Sequence, residues 1–284
     1  MRRKVWLSLG GLILFWGLLL IVVGAILPLL GIGGGMPAMD RESAFRLALG
    51  NSLTLLFTFG LSAGLYYPAW KVALGRSPLS FAHIAPATWV WIALLMLGLQ
   101  AVLPWLALDA ESLDLPPAWK PLEEALEATE NQIETMILSF LTHGSIGWNL
   151  LFLAVVPGVV EELFFRGALQ GLLIRLTRPV IAIWIAAFVF SAIHGQIYGF
   201  VPRLLLGALM GYLAFYGQSL VPAMWAHFLN NAYATLGGYM AIHLLNAPQY
   251  IRSDYKPPVW IALVGAVIAG AAGYQAYRLL RRRD

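Results

Sequence analysis

The chain reads as an all-α membrane protein: a bundle of about eight transmembrane helices forming a single integral-membrane domain over residues 1–284. Three observations predict this. Hydrophobic residues make up 60% of the chain and charged residues 11%, where a soluble domain carries about a quarter charged. The mean hydropathy is +0.75. Apolar runs of about 20 residues, the length that crosses a bilayer, recur between short connections marked by proline, glycine or charge. The chain has no cysteine, which excludes disulfides, thiolate metal ligands and a cysteine nucleophile.

In chain order the expected spans are about Val5–Ile32, Phe45–Tyr67, Thr88–Leu108, Gly147–Leu173, Val180–Ile197, Val201–Tyr216, Val221–Leu245 and Val259–Tyr277. The first follows MRRK and outruns the apolar core of about 7–15 residues in a cleaved signal peptide, so it is expected to stay as a membrane helix. The one long connection, Asp109 to Ser145, is acidic. Within it Leu122, Leu126, Thr129, Ile133 and Ile137 recur at helical spacing and predict an amphipathic surface helix. A linker is its plainer role, and a lid over a substrate entrance the alternative.

Eight spans place Arg2, Arg3, Lys4, Lys71, Arg76, Arg175, Arg178, Arg278, Arg281, Arg282 and Arg283 on one side. Arg41, Arg46, Lys120, Arg203, Arg252 and Lys256 fall on the other, with nearly all the loop carboxylates. Basic residues favour the cytoplasm, so both termini are expected there and the acidic loop outside. The plasma membrane of a prokaryote is the expected location.

Charge inside a bilayer is costly, about 2.5–3.5 kcal/mol per ionised side chain on insertion scales. Every aspartate lies in a loop or the C-terminal tail, which argues against a pair of intramembrane catalytic aspartates. Neither HExxH nor GxSxG occurs. Within the spans, Glu161, Glu162, Arg166, His194, His227, Asn230 and Asn231 stand out. Glu162 and Arg166 are four apart with the acid N-terminal, the favourable order for a helical ion pair. Glu161 points about 100° away and has no partner in its own helix. A carboxylate so placed is the kind of group that takes a proton from a reacting water. Glu162 and Arg166 therefore read as structural, and Glu161 as chemical.

His194, late in the fifth span with Phe190 one turn before it, reads as a packed histidine when taken alone. His227 shares a helix face with Asn231, and such a pair can donate hydrogen bonds to a developing oxyanion. Asn230 is nearly as well placed, and spacing does not choose between the two. Polar glue between helices is the plainer role for each. Three separate helices that each carry an acid, a base or a donor favour chemistry.

EELFFR (Glu161, Glu162, Arg166), FSAIH (Phe190, His194) and HFLNN (His227, Asn231) resemble, in order, the EExxxR, FxxxH and HxxxN motifs of the CAAX-protease and bacteriocin-processing family. That family includes the type II CAAX prenyl endopeptidases and abortive-infection-like proteins. The resemblance covers about Gly147 to Leu236 and implies an intramembrane endopeptidase of glutamate type with eight helices. It implies that Glu161, assisted by His194, activates water, that His227 and Asn231 form an oxyanion hole, and that Glu162, Arg166 and Phe190 support them. No cofactor is then needed. The alternative is a zinc enzyme with Glu161, His194 and His227 as ligands. Rival classes are a non-catalytic immunity or scaffold protein and a transporter. The expected partners are a peptide or protein substrate, prenylated or not, and membrane lipid, with no nucleic acid.

One difficulty is geometric. Straight spanning helices would put Glu161 about 21 Å from the outer end of its span and His194 about 21 Å from the inner end of the next. The expectation that they meet relies on Pro157, one turn before Glu161, bending or breaking its helix.

Overall fold

The computed structural model describes residues 2–29, 40–65, 79–80, 84–107, 116–251 and 255–281. Lys71, Arg76, Asp109, Arg252, Arg282 and Arg283, weighed above, lie outside the described residues, as do the expected span ends at Ile32, Tyr67 and Leu108.

Among the described residues the architecture is wholly helical. Helix α1 is Arg2–Leu29 and α2 begins at Arg41 and runs to Leu65 with a widened turn at Leu56–Gly60. Helix α3 is Pro86–Val102, extended by a tight turn at Leu103–Leu106. Helix α4 is Lys120–His143, and α5 is Ile146–Ile174. Then come α6 (Pro179–Ala192), α7 (Phe200–Gly217), α8 (Val221–His243) and α9 (Val259–Arg281).

Starts follow local chemistry. Asp40 caps α2: its carboxylate accepts from the Ser43 backbone N–H at 2.8 Å, which holds its pKa below the usual carboxylate range. Proline occupies the first turn of α3, α6 and α8, where a missing N–H costs nothing.

Among the described residues six helices are long and apolar enough to cross a membrane: those of α1, α2, α3, α5, α7 and α9. The expected fifth span is shorter, ending at Ala192 rather than Ile197. The seventh, α8, has the length but carries His227, Asn230 and Asn231. Large apolar side chains line the outer surface, with Leu14 at 76% and Val267 at 73% exposure. Glu162, Arg166 and Gln170 are buried. An apolar exterior around a polar centre is what lipid rather than water selects.

Two apolar cores flank that centre. One joins α3, α7, α8 and α9 through Ile92, Met96, Met210, Ala226 and Ala272. The other joins α1, α2, α5 and α6 through Leu12, Phe59, Phe165, Leu172 and Phe190. Helix α4 is the amphipathic helix that the acidic loop predicts, though its face is rotated: Leu122 is exposed and Glu130 is buried.

Candidate active site

The site grows from the middle of α5. Pro157 does not break that helix. A turn with i→i+5 hydrogen bonding at Leu151–Val155 precedes it, and the chain resumes as Val156–Glu162. A second widened turn, Leu163–Gln170, carries Arg166. Such turns absorb a missing N–H and reorient side chains without ending a helix.

Glu162 is fully enclosed and bound on one oxygen from two sides. Its Oε1 accepts from Arg166 Nη1 and from His227 Nδ1, each at 2.8 Å. Arg166 Nη2 donates to the Gly207 carbonyl of α7 at 2.9 Å, and the guanidinium lies 4.7 Å from the Phe190 ring centroid. The absence of a side chain at Gly207 lets α7 close on α6, since a Cβ there would sit 3.2 Å from Ala187 and Phe190. A buried ion pair costs less when its other polar atoms are also satisfied, and α7 and α8 supply partners for Arg166 Nη2 and Glu162 Oε1, while Glu162 Oε2 has none among the described residues.

Glu161 is also buried, at 6% exposure, but its surroundings differ. It makes no hydrogen bond to any described residue, whereas in Glu162 only Oε2 is unpartnered, and His227 Nε2 stands 4.0 Å from Glu161 Oε2. That gap is too long for a direct hydrogen bond and short enough for one bridging water. Helices α5 and α8 meet this closely because residue 158 is glycine: a Cβ there would lie 3.0 Å from the Phe228 backbone nitrogen.

His194 lies beyond the end of α6, in a turn that closes at Gly195 with φ of +65°. The expectation that it sits late in a helix reaching Ile197 is therefore corrected. Its Nδ1–H donates to the Phe190 carbonyl at 2.7 Å, which leaves Nε2 with its lone pair. The Phe190 ring stands edge-on to both histidines, 5.0 Å from His194 and 5.8 Å from His227. His194 and Glu161 form no hydrogen bond or ion pair with each other; Phe190 joins His194 to the cluster.

Asn230 and Asn231 are not equivalent. Asn230 accepts from Gln100 Nε2 of α3 at 3.0 Å and donates to Asn231 Oδ1 at 3.1 Å. Both ends of its amide are thus engaged, whereas the Asn231 NH2 has no acceptor among the described residues.

Sequence reading misses a second layer above His194. Gln196 donates to Glu130 Oε1 at 3.0 Å, Tyr198 donates to Glu127 Oε1 at 2.9 Å, and Arg203 Nη2 donates to Gln196 Oε1 at 2.7 Å. These bonds fasten α4 over the turn that bears His194. Burial pushes the Glu130 carboxyl above the usual carboxylate range, against the pull of Arg203 and Gln196. Burial and the bond to Glu127 push the Tyr198 hydroxyl up to about 12. Only the inward turn of the acidic stripe could have signalled this, and the apolar spacing of α4 hides it.

Among the described residues no group of three or more histidine, aspartate or glutamate side chains is arranged to hold a metal ion. A cavity of about 330 Å³ opens elsewhere, beside Arg41, Phe45, Trp148 and Phe152, and contains none of the motif residues.

Comparison with known proteins agrees with the motif order. No curated protein and no solved structure gives a significant match. Residues 143–233, which hold the three motifs, match the family model described as type II CAAX prenyl endopeptidase Rce1-like. With its apolar helices this makes the chain an integral membrane protein. By that segment, the chain is similar to the Rce1-like type II CAAX prenyl endopeptidases.

Proposed function

We propose that this protein is an intramembrane endopeptidase in which Glu161 activates water against a peptide bond. The observation that carries the reading is the unequal treatment of two adjacent buried glutamates. Glu162 Oε1 is bound by Arg166 and His227, while Glu161 makes no hydrogen bond to any described residue and stands 4.0 Å from His227 Nε2.

In this mechanism Glu161, ionised, takes a proton from a water held with the help of the free Nε2 of His194. The water oxygen bonds to the scissile carbonyl carbon, and the carbonyl oxygen becomes an oxyanion. Because His227 gives Nδ1–H to Glu162, its Nε2 is the nitrogen left for the substrate, and protonated it donates to that oxyanion. The free amide NH2 of Asn231 is the second donor. The C–N bond then breaks as the leaving nitrogen takes the proton carried by Glu161, and the carboxylic acid product passes its remaining proton to the released amine, leaving a carboxylate, an ammonium and ionised Glu161. Glu162, Arg166 and Phe190 position these groups. The family points to a substrate with a prenylated cysteine near its C-terminus, with lipid around it. The distribution of lysine and arginine supports both termini in the cytoplasm.

The test is cleavage of a quenched-fluorescent farnesylated CAAX peptide by detergent-purified protein. Wild type and Glu161→Gln are compared, each with and without a strong chelator. The expected result is cleavage that survives chelation and falls by at least about 100-fold in the variant. Chelator-sensitive cleavage would transfer the mechanism to a zinc-bound water. Cleavage by a folded Glu161→Gln protein would remove Glu161 from the chemistry.

A further inference from the structure

Arg203 is a guanidinium that the mechanism above does not use. It sits in the first turn of α7, half-buried, just past the turn that holds His194. Through Gln196 it faces Glu130 of α4. Yet among the described residues it forms no ion pair. Its bonds go to Gln196: Nη2 to the side-chain Oε1 at 2.7 Å and Nη1 to the backbone carbonyl at 3.4 Å.

The arrangement keeps its natural counter-ion at arm's length. Glu130 accepts from Gln196 Nε2, so a neutral amide stands between carboxylate and guanidinium. Glu130 Oε2 remains buried without a hydrogen-bond partner. A simple clamp holding α4 to α7 would pair the two charges directly, because a fork-to-carboxylate pair is the stronger bond. Gly199 makes room for the guanidinium, since a Cβ there would lie 2.7 Å from Arg203 Nη2. A guanidinium carries five N–H donors, and the bonds to Gln196 leave the rest of the fork open.

We propose that Arg203, oriented by Gln196, is the subsite that takes the C-terminal carboxylate of the peptide substrate. This rests on the endopeptidase reading and deepens it. A substrate cut three residues from its end presents a carboxylate about 10 Å from the scissile bond. A planar fork recognises that group bidentately, whereas a C-terminal amide lacks the charge. Arg203 is then a specificity residue that sets how far from the chain end cleavage falls.

The experiment titrates detergent-purified wild type, Arg203→Gln and Arg203→Lys with an acetylated valine–isoleucine–methionine tripeptide, as free acid and as amide, by calorimetry. The same two C-termini are placed on the farnesylated cleavage peptide to give KM and kcat. Wild type is expected to prefer the acid by about tenfold. In Arg203→Gln that ratio falls towards one, with KM for the acid raised and kcat little changed, and Arg203→Lys lies between. Equal binding of acid and amide by wild type overturns the subsite, as does a preference that survives in Arg203→Gln. If Arg203→Gln does not fold, the ratio in Arg203→Lys decides, and an undiminished preference there counts against the fork. Cleavage of both peptides alike leaves the endopeptidase standing without the subsite. An Arg203-dependent preference without any cleavage keeps the subsite and removes the endopeptidase.

Discussion

At the scale of single residues, two neighbours of one chemical type have been given opposite surroundings. Glu162 Oε1 sits between Arg166 and His227, and all three side chains are buried. Removing the charge at Glu162 strands a guanidinium that is 1% exposed. Breaking one partner of a buried pair typically costs about 3–5 kcal/mol. Glu162→Gln should therefore lower stability by about that amount, read as a reduced midpoint of thermal unfolding in detergent. Glu161→Gln should leave the midpoint nearly unchanged, because Glu161 has no ion pair with Arg166 to lose. A variant pair with equal midpoints would show that the two glutamates are not divided between support and chemistry.

At the scale of helices, the spacing of α5 and α8 decides whether the site exists. Gly158 lies against the Phe228 backbone, and the contact brings Glu162 to within hydrogen-bonding distance of His227 one turn further along. Gly158→Val should force the helices apart and cut activity at least about tenfold while the bundle remains folded, since overpacking costs about 1–3 kcal/mol. Activity and monodispersity in detergent, measured together, check this. The fastening of α4 offers a pH test. Burial raises the Glu130 carboxyl, so the folded state keeps a proton that the unfolded chain has released. The contribution of that proton to stability is complete below the usual carboxylate range and is lost as pH rises through the raised value. Wild type should lose thermal stability across that window, and Glu130→Gln should lose less.

These helix-level features mark what the sequence could and could not carry. The number and order of apolar segments, the amphipathic α4 and the relation between Glu162 and Arg166 are local properties, legible from spacing. The end of α6 was missed by five residues, because Ile193 and Ile197 extend the apolar run past the point where the backbone turns at Gly195. The bond from His227 to Glu162 joins residues 65 apart. The layer of Glu130, Gln196 and Arg203 also depends on distant helices, so no local pattern announces it. Asn230 and Asn231 are likewise separated only by Gln100, contributed 130 residues away.

At the scale of the whole molecule, polar groups occupy the centre and apolar ones the rim, and the motif segment 143–233 supplies most of that centre. Helices α1, α3 and α9 lie around it, with long apolar faces turned outward. The exception to their length is α6. Its 14 residues span about 21 Å, against a hydrocarbon core of about 30 Å. A bilayer meeting a short helix thins locally, at a cost of fractions of a kcal/mol per ångström of mismatch. The bilayer beside α6 is therefore expected to be drawn inward, bringing headgroups and water closer to the turn that bears His194. Reconstituted into bilayers of graded acyl length, the protein should work fastest in the thinner ones, with rates that fall as the chains lengthen. A rate indifferent to thickness would mean that α6 is shielded from lipid by its neighbours. The hydrolytic water, in this view, reaches the site partly because the bilayer yields to a helix that is too short for it.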